Sequence, residues 1–286
     1  MNQPLISIIT ASYNSEKTIG NTIESILNQT YKNIEYIIVD GASTDNTLNI
    51  IKSYQNKFRD ADIDFKFISE PDKGVYEAWN KALKLTRGEW LVFLGSDDYF
   101  KSNTIIQRSL STLKNAAERE INYVYGKIEH INNNGESIEI IGNSWETQKE
   151  RFSYIMNVGH SGSFNHKSLF ENHGKFNEEF KIAGDYEFLL REFKNKSNDA
   201  IFFDEVTIVM RQGGLSASLK NRLLLIKESY KARRINGINT FSPELFFWEL
   251  KVQSISIISL FFGGTNASKI ADMYRRLLGK NKRWSN

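Results

Sequence analysis

Apolar and polar positions alternate along the first hundred residues in two rhythms. Short β-branched or apolar runs at 5–10, 34–39, 62–68 and 90–94 read as buried strands. Between them apolar residues return every three or four positions, the spacing of one helix face. Ile19, Ile23, Ile26 and Leu27 line a first helix, opened by Ser15 or Thr18 and running to about Gln29. Leu48, Ile51 and Tyr54 line a second, and residues 75–85 form a third that Arg87-Gly88 closes.

Strand and helix in strict alternation predict an α/β fold, a mostly parallel Rossmann-like sheet with helices on both faces. Right-handed crossovers put the carboxyl ends of all four strands on one edge, where ligands of open sheets bind. Four polar loops distant in sequence should therefore converge on one cleft: 10–14, 40–45, 69–74 and the pair Asp97-Asp98.

The rhythm changes after Asp98. Residues 102–117 read as a helix, then 122–131 and 137–141 as strands joined by a hairpin turn at Asn132-Asn133-Asn134-Gly135. Residues 145–156 are mixed, 160–165 strand-like and 166–173 a short helix. Ile182-Ala183-Gly184-Asp185 leads into a helix through Lys194. Two strand-like runs follow, 200–203 and 206–211, before Gly213-Gly214, and the chain is mostly helical from Ser216.

Composition narrows the chemistry. The 286 residues allow one large or two modest domains. A net charge of only +3 makes no case for nucleic acid as a partner. The absence of cysteine excludes disulfides, thiol catalysis and Cys-ligated zinc, and fits a cytoplasmic setting. No basic leader precedes the first strand, which argues against a secretory signal. No apolar run reaches the roughly 18–20 residues that cross a bilayer.

Adjacent carboxylates at the end of a buried strand repel one another and lose hydration. A hard divalent cation, Mn²⁺ or Mg²⁺, relieves both costs and shares its remaining positions with phosphates and water. A plain strand-ending turn is the alternative. The predicted cleft holds further acids, Asp40, Asp45 and Asp72, but neither a Gly-x-Gly-x-x-Gly fingerprint nor a phosphate-binding loop ending in Lys-Ser/Thr. Carboxylates repel a diphosphate unless a cation bridges them to it.

Five ordered segments carry a resemblance: Ile-Ile-Thr-Ala-Ser-Tyr-Asn (8–14), Gln-Thr-Tyr (29–31), Val-Asp-Gly-Ala-Ser-Thr-Asp (39–45), Asp-Lys-Gly-Val-Tyr-Glu-Ala-Trp-Asn-Lys (72–81) and Leu-Gly-Ser-Asp-Asp (94–98). Together they resemble the family 2 inverting glycosyltransferases of the GT-A fold, of the type that builds bacterial surface polysaccharides. The likeness continues more loosely to about residue 215. It implies a metal-dependent transfer of a hexose or N-acetylhexosamine from a nucleotide-diphosphate sugar, a UDP-sugar, to a glycan or lipid-linked glycan. Thr10, Ala11 and Tyr13 would line the nucleotide pocket, with Asp40 on the base, Asp72 and Lys73 nearby, and Asp97 on the ribose or sugar. Asp98, in a DXD-like motif, would hold Mn²⁺ or Mg²⁺. Asp185 would be the base that deprotonates the acceptor, although Gly184 replaces the acid the family usually carries before it. His160 and Arg211, the latter before a Gly-Gly-x-Ser turn, would serve the acceptor or phosphate side. Asp45 reads as a helix cap, and Tyr76, Trp79 and Asn80 as packing. A silent nucleotide-sugar-binding scaffold is one rival reading. A sugar nucleotidyltransferase is another, although the Gly-rich basic loop it wants is missing.

Residues 1–215 would then form the transferase domain and 216–286 a helical extension. The aromatic-rich segment 244–262 is too interrupted to span a membrane. Six basic residues against one acid leave +5 over 263–286. An aromatic segment with a basic end suits an anionic membrane surface on the cytoplasmic side. Packing on the domain and a homodimer interface are the other uses of such a segment.

Overall fold

The computed structural model describes residues 3–213 and 218–262. The last three residues of the expected Gly-Gly-x-Ser turn, Gly214, Leu215 and Ser216, and the basic tail 263–286 lie outside the described residues. The first half alternates as the pattern requires: β1 (Ile6–Ser12), α1 (Ile19–Leu27), β2 (Ile34–Asp40), α2 (Thr47–Ser53), α3 (Gln55–Asp60), β3 (Asp64–Ser69), α4 (Val75–Leu83) and β4 (Trp90–Phe93). The second half contains β5 (Tyr99–Phe100), α5 (Ile105–Glu118), β6 (Tyr123–Ile131), β7 (Ser137–Ile141), α6 (Trp145–Phe152), β8 (Phe164–His166), α7 (Ser168–His173), α8 (Gly184–Phe193), β9 (Ile201–Arg211), α9 (Leu219–Ile235) and α10 (Pro243–Phe262).

One sheet runs in the order β3-β2-β1-β4-β8-β6-β9-β5, with β7 paired to β6. The first four strands are parallel, as expected. The rest is mixed: β8 lies antiparallel to β4 and to β6, while β6 and β9 are parallel. Alternation along the strands divides the core in two. Ile6 and Ile8 of β1, with Tyr36 and Ile38 of β2, pack among residues of α1, α2, α3 and α5. Ile9, Ile37 and Val39 face the other way, toward α4, α6, α7 and α8.

Glu35 anchors the end of the sheet away from the cleft. Its buried carboxylate accepts from Ser7 Oγ, from the backbone N–H groups of Arg87 and Gly88, and from Arg87 Nε. Burial alone would raise its pKa, but these donors hold it below the usual carboxylate value. A Cβ at Gly88 would stand 2.6 Å from the Ser7 backbone nitrogen, so only glycine passes there.

Several elements differ from expectation. The second helix breaks at Tyr54 into α2 and α3. The runs at 200–203 and 206–211 are one strand, β9, whose register against β6 shifts near Lys127, so its alternation is interrupted. Strand character near 160–165 begins only at Phe164, leaving His160 on a loop. The two-residue β5, too short to show a period, pairs with β9.

The extension does not stand apart. Ser218 caps α9 by accepting from Asn221 N–H at 3.2 Å. Arg233 donates to the carbonyls of Ser153 and Thr240, and Asn236 to the carbonyl of Glu187 on α8. Leu245 and Val252 of α10 are buried, whereas Phe246, Phe247, Leu250 and Ile257 are exposed.

Candidate functional site

The four loops meet at the sheet edge. Asp40, at the end of β2, is fully buried. Its carboxylate accepts from Ser12 Oγ (3.2 Å), Ser43 Oγ (2.5 Å), Ser43 N–H (3.0 Å) and Ser69 Oγ (2.7 Å). It therefore ties the ends of β1, β2 and β3 together. Beside it a Cβ at Gly41 would lie 2.8 Å from Asp72 Oδ2 and 3.4 Å from the Tyr13 ring, so any larger residue would push the Asp72 carboxylate aside. Tyr13, Gly41 and Asp72 thus form one narrow slot, with the Tyr13 ring 63% exposed. Burial raises the pKa of Asp72, whose Oδ1 accepts from Gly74 N–H. Ala11 is half-buried beside the slot, while Thr10 is enclosed on the core side, its hydroxyl accepting from Tyr36. Lys73 is exposed. Asn14 and Ala42 hold left-handed φ angles of 47° and 59° in these loops, a strain of the kind functional loops retain. Asp45 accepts from the N–H groups of Thr47 and Glu16, in keeping with a helix-capping part.

Asp97 and Asp98 follow β4 and fold back over Gly95, where a Cβ would stand 2.9 Å from Asp98 Oδ2 and 3.0 Å from Asp97 Oδ1. Asp98 is buried and accepts from Ser161 Oγ at 2.8 Å. Burial and then repulsion from Asp97 push its carboxyl up to about 7. Burial raises Asp97 as well, partly offset by the Arg211 guanidinium. Arg211 lies over the Tyr99 ring, 5.6 Å from its centroid. Among the described residues no group of three His, Asp or Glu side chains converges to hold an ion. The donor set is two under-neutralised carboxylates, which fits a Mg²⁺- or Mn²⁺-type site that takes its other ligands from substrate phosphates and water.

Asp185 stands in the first turn of α8. Its Oδ1 accepts from Tyr186 N–H (2.8 Å) and from the Tyr76 hydroxyl (3.3 Å). Burial pushes its carboxyl up to about 6 against these bonds, which lower it. The Tyr76 ring also explains Gly184: a Cβ there would lie 2.7 Å from a ring carbon. The acid expected at position 184 is excluded by the tyrosine that contacts Asp185.

His160 is enclosed by Trp79, Phe93, Tyr123 and Phe176. Neither ring nitrogen meets a hydrogen-bond partner among the described residues, and burial pushes the imidazole down to about 3, so the ring is neutral at pH 7. Contacts run from Asp185 through Tyr76 and Trp79 to His160, whose neighbour Ser161 bonds Asp98. Sequence reasoning missed Tyr76 and Ser161 as site residues. Tyr76 lay inside a quoted motif but read as packing, and a lone serine on a loop carries no signal of its own.

The mixed sheet, with its parallel first half and its loops gathered at one edge, is the fold of GT-A glycosyltransferases. The chain belongs to glycosyl transferase family 2, whose model matches residues 7–173, more than half its length. It is 27% identical over 229 residues to a PGL/p-HBAD biosynthesis glycosyltransferase of Mycobacterium bovis (strain BCG / Pasteur 1173P2), covering 79% of this chain and 84% of that one. It is 36% identical over 156 residues to the UDP-Glc:alpha-D-GlcNAc-diphosphoundecaprenol beta-1,3-glucosyltransferase WfgD of Escherichia coli, 54% of this chain and 56% of that one. Among solved structures, mannosyltransferase PcManGT from Pyrobaculum calidifontis, in complex with GDP-Man and Mn²⁺, matches with a TM-score of 0.61 and 17% identity, over 97% of this chain and 81% of that one.

Proposed function

We propose that the chain transfers one hexose or N-acetylhexosamine from a UDP-sugar to a hydroxyl of a glycan or lipid-linked glycan in polysaccharide biosynthesis, with inversion at the anomeric carbon. The observation that carries this reading is Asp185, a buried carboxyl pushed up to about 6 and held by Tyr76 at a helix start. A base with a pKa near working pH combines a large ionised fraction with a strong pull on the proton. Asp185 takes the proton of the acceptor hydroxyl as that oxygen attacks the anomeric carbon and the diphosphate departs. Asp98, with Asp97 beside it, would hold Mn²⁺ or Mg²⁺, which as a Lewis acid stabilises the departing diphosphate. The slot of Tyr13, Gly41 and Asp72 takes the nucleoside, Ala11 borders it, and Asp97 and Arg211 face the sugar and phosphates. Lys73 lies at the rim. Thr10 and Asp40 support this slot from beneath. His160, neutral and caged, shapes the wall between donor and base.

The name of WfgD supports a UDP donor and a lipid-linked acceptor. Residues 1–215 act as the transferase domain and 216–286 as an extension. The exposed apolar residues of α10, preceded by the exposed Phe241 in a hollow that Lys227, Lys231 and Arg234 of α9 also line, dock on an anionic membrane surface at its cytoplasmic side. Among the described residues no helix is long and apolar enough to cross a membrane.

Thermal-shift measurements with UDP-, GDP- and dTDP-sugars, each with and without Mn²⁺, test the donor, because a ligand of the native state raises its apparent stability. A Mn²⁺-dependent shift with a UDP-sugar is expected. A shift only with GDP- or dTDP-sugars overturns the donor assignment, and release of pyrophosphate instead of UDP would indicate a nucleotidyltransferase.

A further inference from the structure

The loop that delivers Asp185 is held from outside the family match. Three consecutive backbone N–H groups, of Lys181, Ile182 and Ala183, donate to the carboxylate of Glu228, each at 2.9 Å. Lys181 reaches one oxygen, and Ile182 and Ala183 share the other. Glu228 lies on α9 and is 7% exposed. Hydrogen bonds to an ionised carboxylate are stronger than neutral ones, and at a buried site little water is at hand to replace a lost partner.

The same loop is gripped from its other side. The single hydrogen of the Tyr76 hydroxyl is shared, chiefly with the Ile182 carbonyl at 2.7 Å and more weakly with Asp185 Oδ1 at 3.3 Å. Ile182 is thus fixed through its N–H by α9 and through its carbonyl by α4, and Gly184-Asp185 follow directly. Further along α9, Lys231 pairs with Glu179 at 2.9 Å, and Asn236 donates to the Glu187 carbonyl at 3.3 Å. Nothing in the slot for the nucleotide touches Glu228, so its reach is confined to the base side of the cleft.

We infer that Glu228 is a positioning residue for the transfer reaction: by holding the amides of 181–183 it sets the carboxyl of Asp185 where the acceptor hydroxyl arrives, which makes α9 part of the catalytic apparatus. The inference rests on the reading of Asp185 as the base. The charge of Glu228 also bears on that base. The titratable groups facing Asp185 are Tyr76 on α4, Tyr123 on β6 and Glu228 on α9, and Glu228 adds to the upward push that burial begins. Removing its charge lowers the pKa of Asp185 and moves the acid limb of turnover to lower pH.

The test compares the full chain with Glu228→Gln, Glu228→Asp and Asp185→Asn. One readout is nucleotide release from whichever of UDP-, dTDP- or GDP-linked glucose, N-acetylglucosamine or mannose the wild type turns over with Mn²⁺. The other is hydrogen–deuterium exchange at residues 181–183. Small misplacements of a reacting group cost up to about a hundredfold, so Glu228→Gln should lose about ten- to a hundredfold in kcat, with donor KM within about twofold of wild type. Its acid limb should move to lower pH and its 181–183 amides should exchange faster. Glu228→Asp, which keeps the charge, should recover part of kcat and the wild-type limb. Wild-type kcat and pH limb in Glu228→Gln overturn the inference. So does unchanged exchange at 181–183, a readout that needs no turnover. Should Glu228→Gln not fold, Glu228→Asp decides: reduced kcat at unchanged donor KM supports the inference and wild-type kcat overturns it. Turnover surviving in Asp185→Asn overturns the base assignment instead.

Discussion

Asp185 is costly to the fold when it is ionised. Burial pushes its carboxyl up to about 6 in the folded chain, from an ordinary 3.8, so the native state binds the proton more tightly. That cost is absent below about pH 4, grows as pH rises, and is complete above about pH 6, where it amounts to about 3 kcal/mol. Asp185→Asn keeps an oxygen for Tyr76 and Tyr186 but cannot ionise. It should abolish transfer yet raise the melting temperature at pH 7.5, and the gain should vanish at pH 4. A gain that persists at pH 4 would contradict the sign. At the acidic pair the two residues should separate in their effects. Asp98→Ala should abolish Mn²⁺-dependent donor binding, whereas Asp97→Ala should weaken it and keep part of the metal response; equal losses in thermal-shift titrations would refute the division. The pair is legible in the sequence because its members are adjacent. Ser161, which bonds Asp98, is not, because the contact is made only when β8 pairs antiparallel with β4 and carries the preceding loop across the strand end.

At the scale of elements, the four parallel strands are legible because each is a continuous apolar run flanked by polar loops. β5 and the break between α2 and α3 leave no such trace: two residues have no period, and the apolar face continues across the break. Gly184 is the clearest case of a residue whose meaning is tertiary. In sequence it is a departure from a family pattern; in the fold it is the space a tyrosine ring from another helix occupies. Glu35 makes the complementary point about the far end of the sheet. Removing Glu35 takes the acceptor from Ser7 Oγ and the Gly88 N–H, and a buried polar group left unpaired costs about 1–3 kcal/mol, so Glu35→Ala should lower unfolding free energy by that order in urea titrations. Mn²⁺-dependent donor affinity of the folded fraction should stay at wild type, since the cleft is at the opposite edge. A matching loss of affinity would mean that the two ends of the sheet are coupled.

Over the whole molecule, α10 stands out: among its described side chains Leu245 and Val252 are covered, while Phe246, Phe247, Leu250 and Ile257 are exposed. Phe247 is 66% exposed, and its substitution should leave the fold intact. Salt-sensitive binding to vesicles containing phosphatidylglycerol is expected of the wild type. Phe247→Glu should weaken it about tenfold, in line with the loss of one buried aromatic anchor and the gain of one repelled charge. No binding by the wild type, or concentration-dependent dimers disrupted by the same substitution, would turn this face into an interface between copies. Chain order gives the clasp between Glu228 and residues 181–183 one more consequence. A ribosome delivers the nucleotide slot and the acidic pair well before α9, and domains tend to fold from the amino end as they emerge. On the proposed function, the nascent chain in that interval would hold an activated sugar with no fixed base with which to spend it on water.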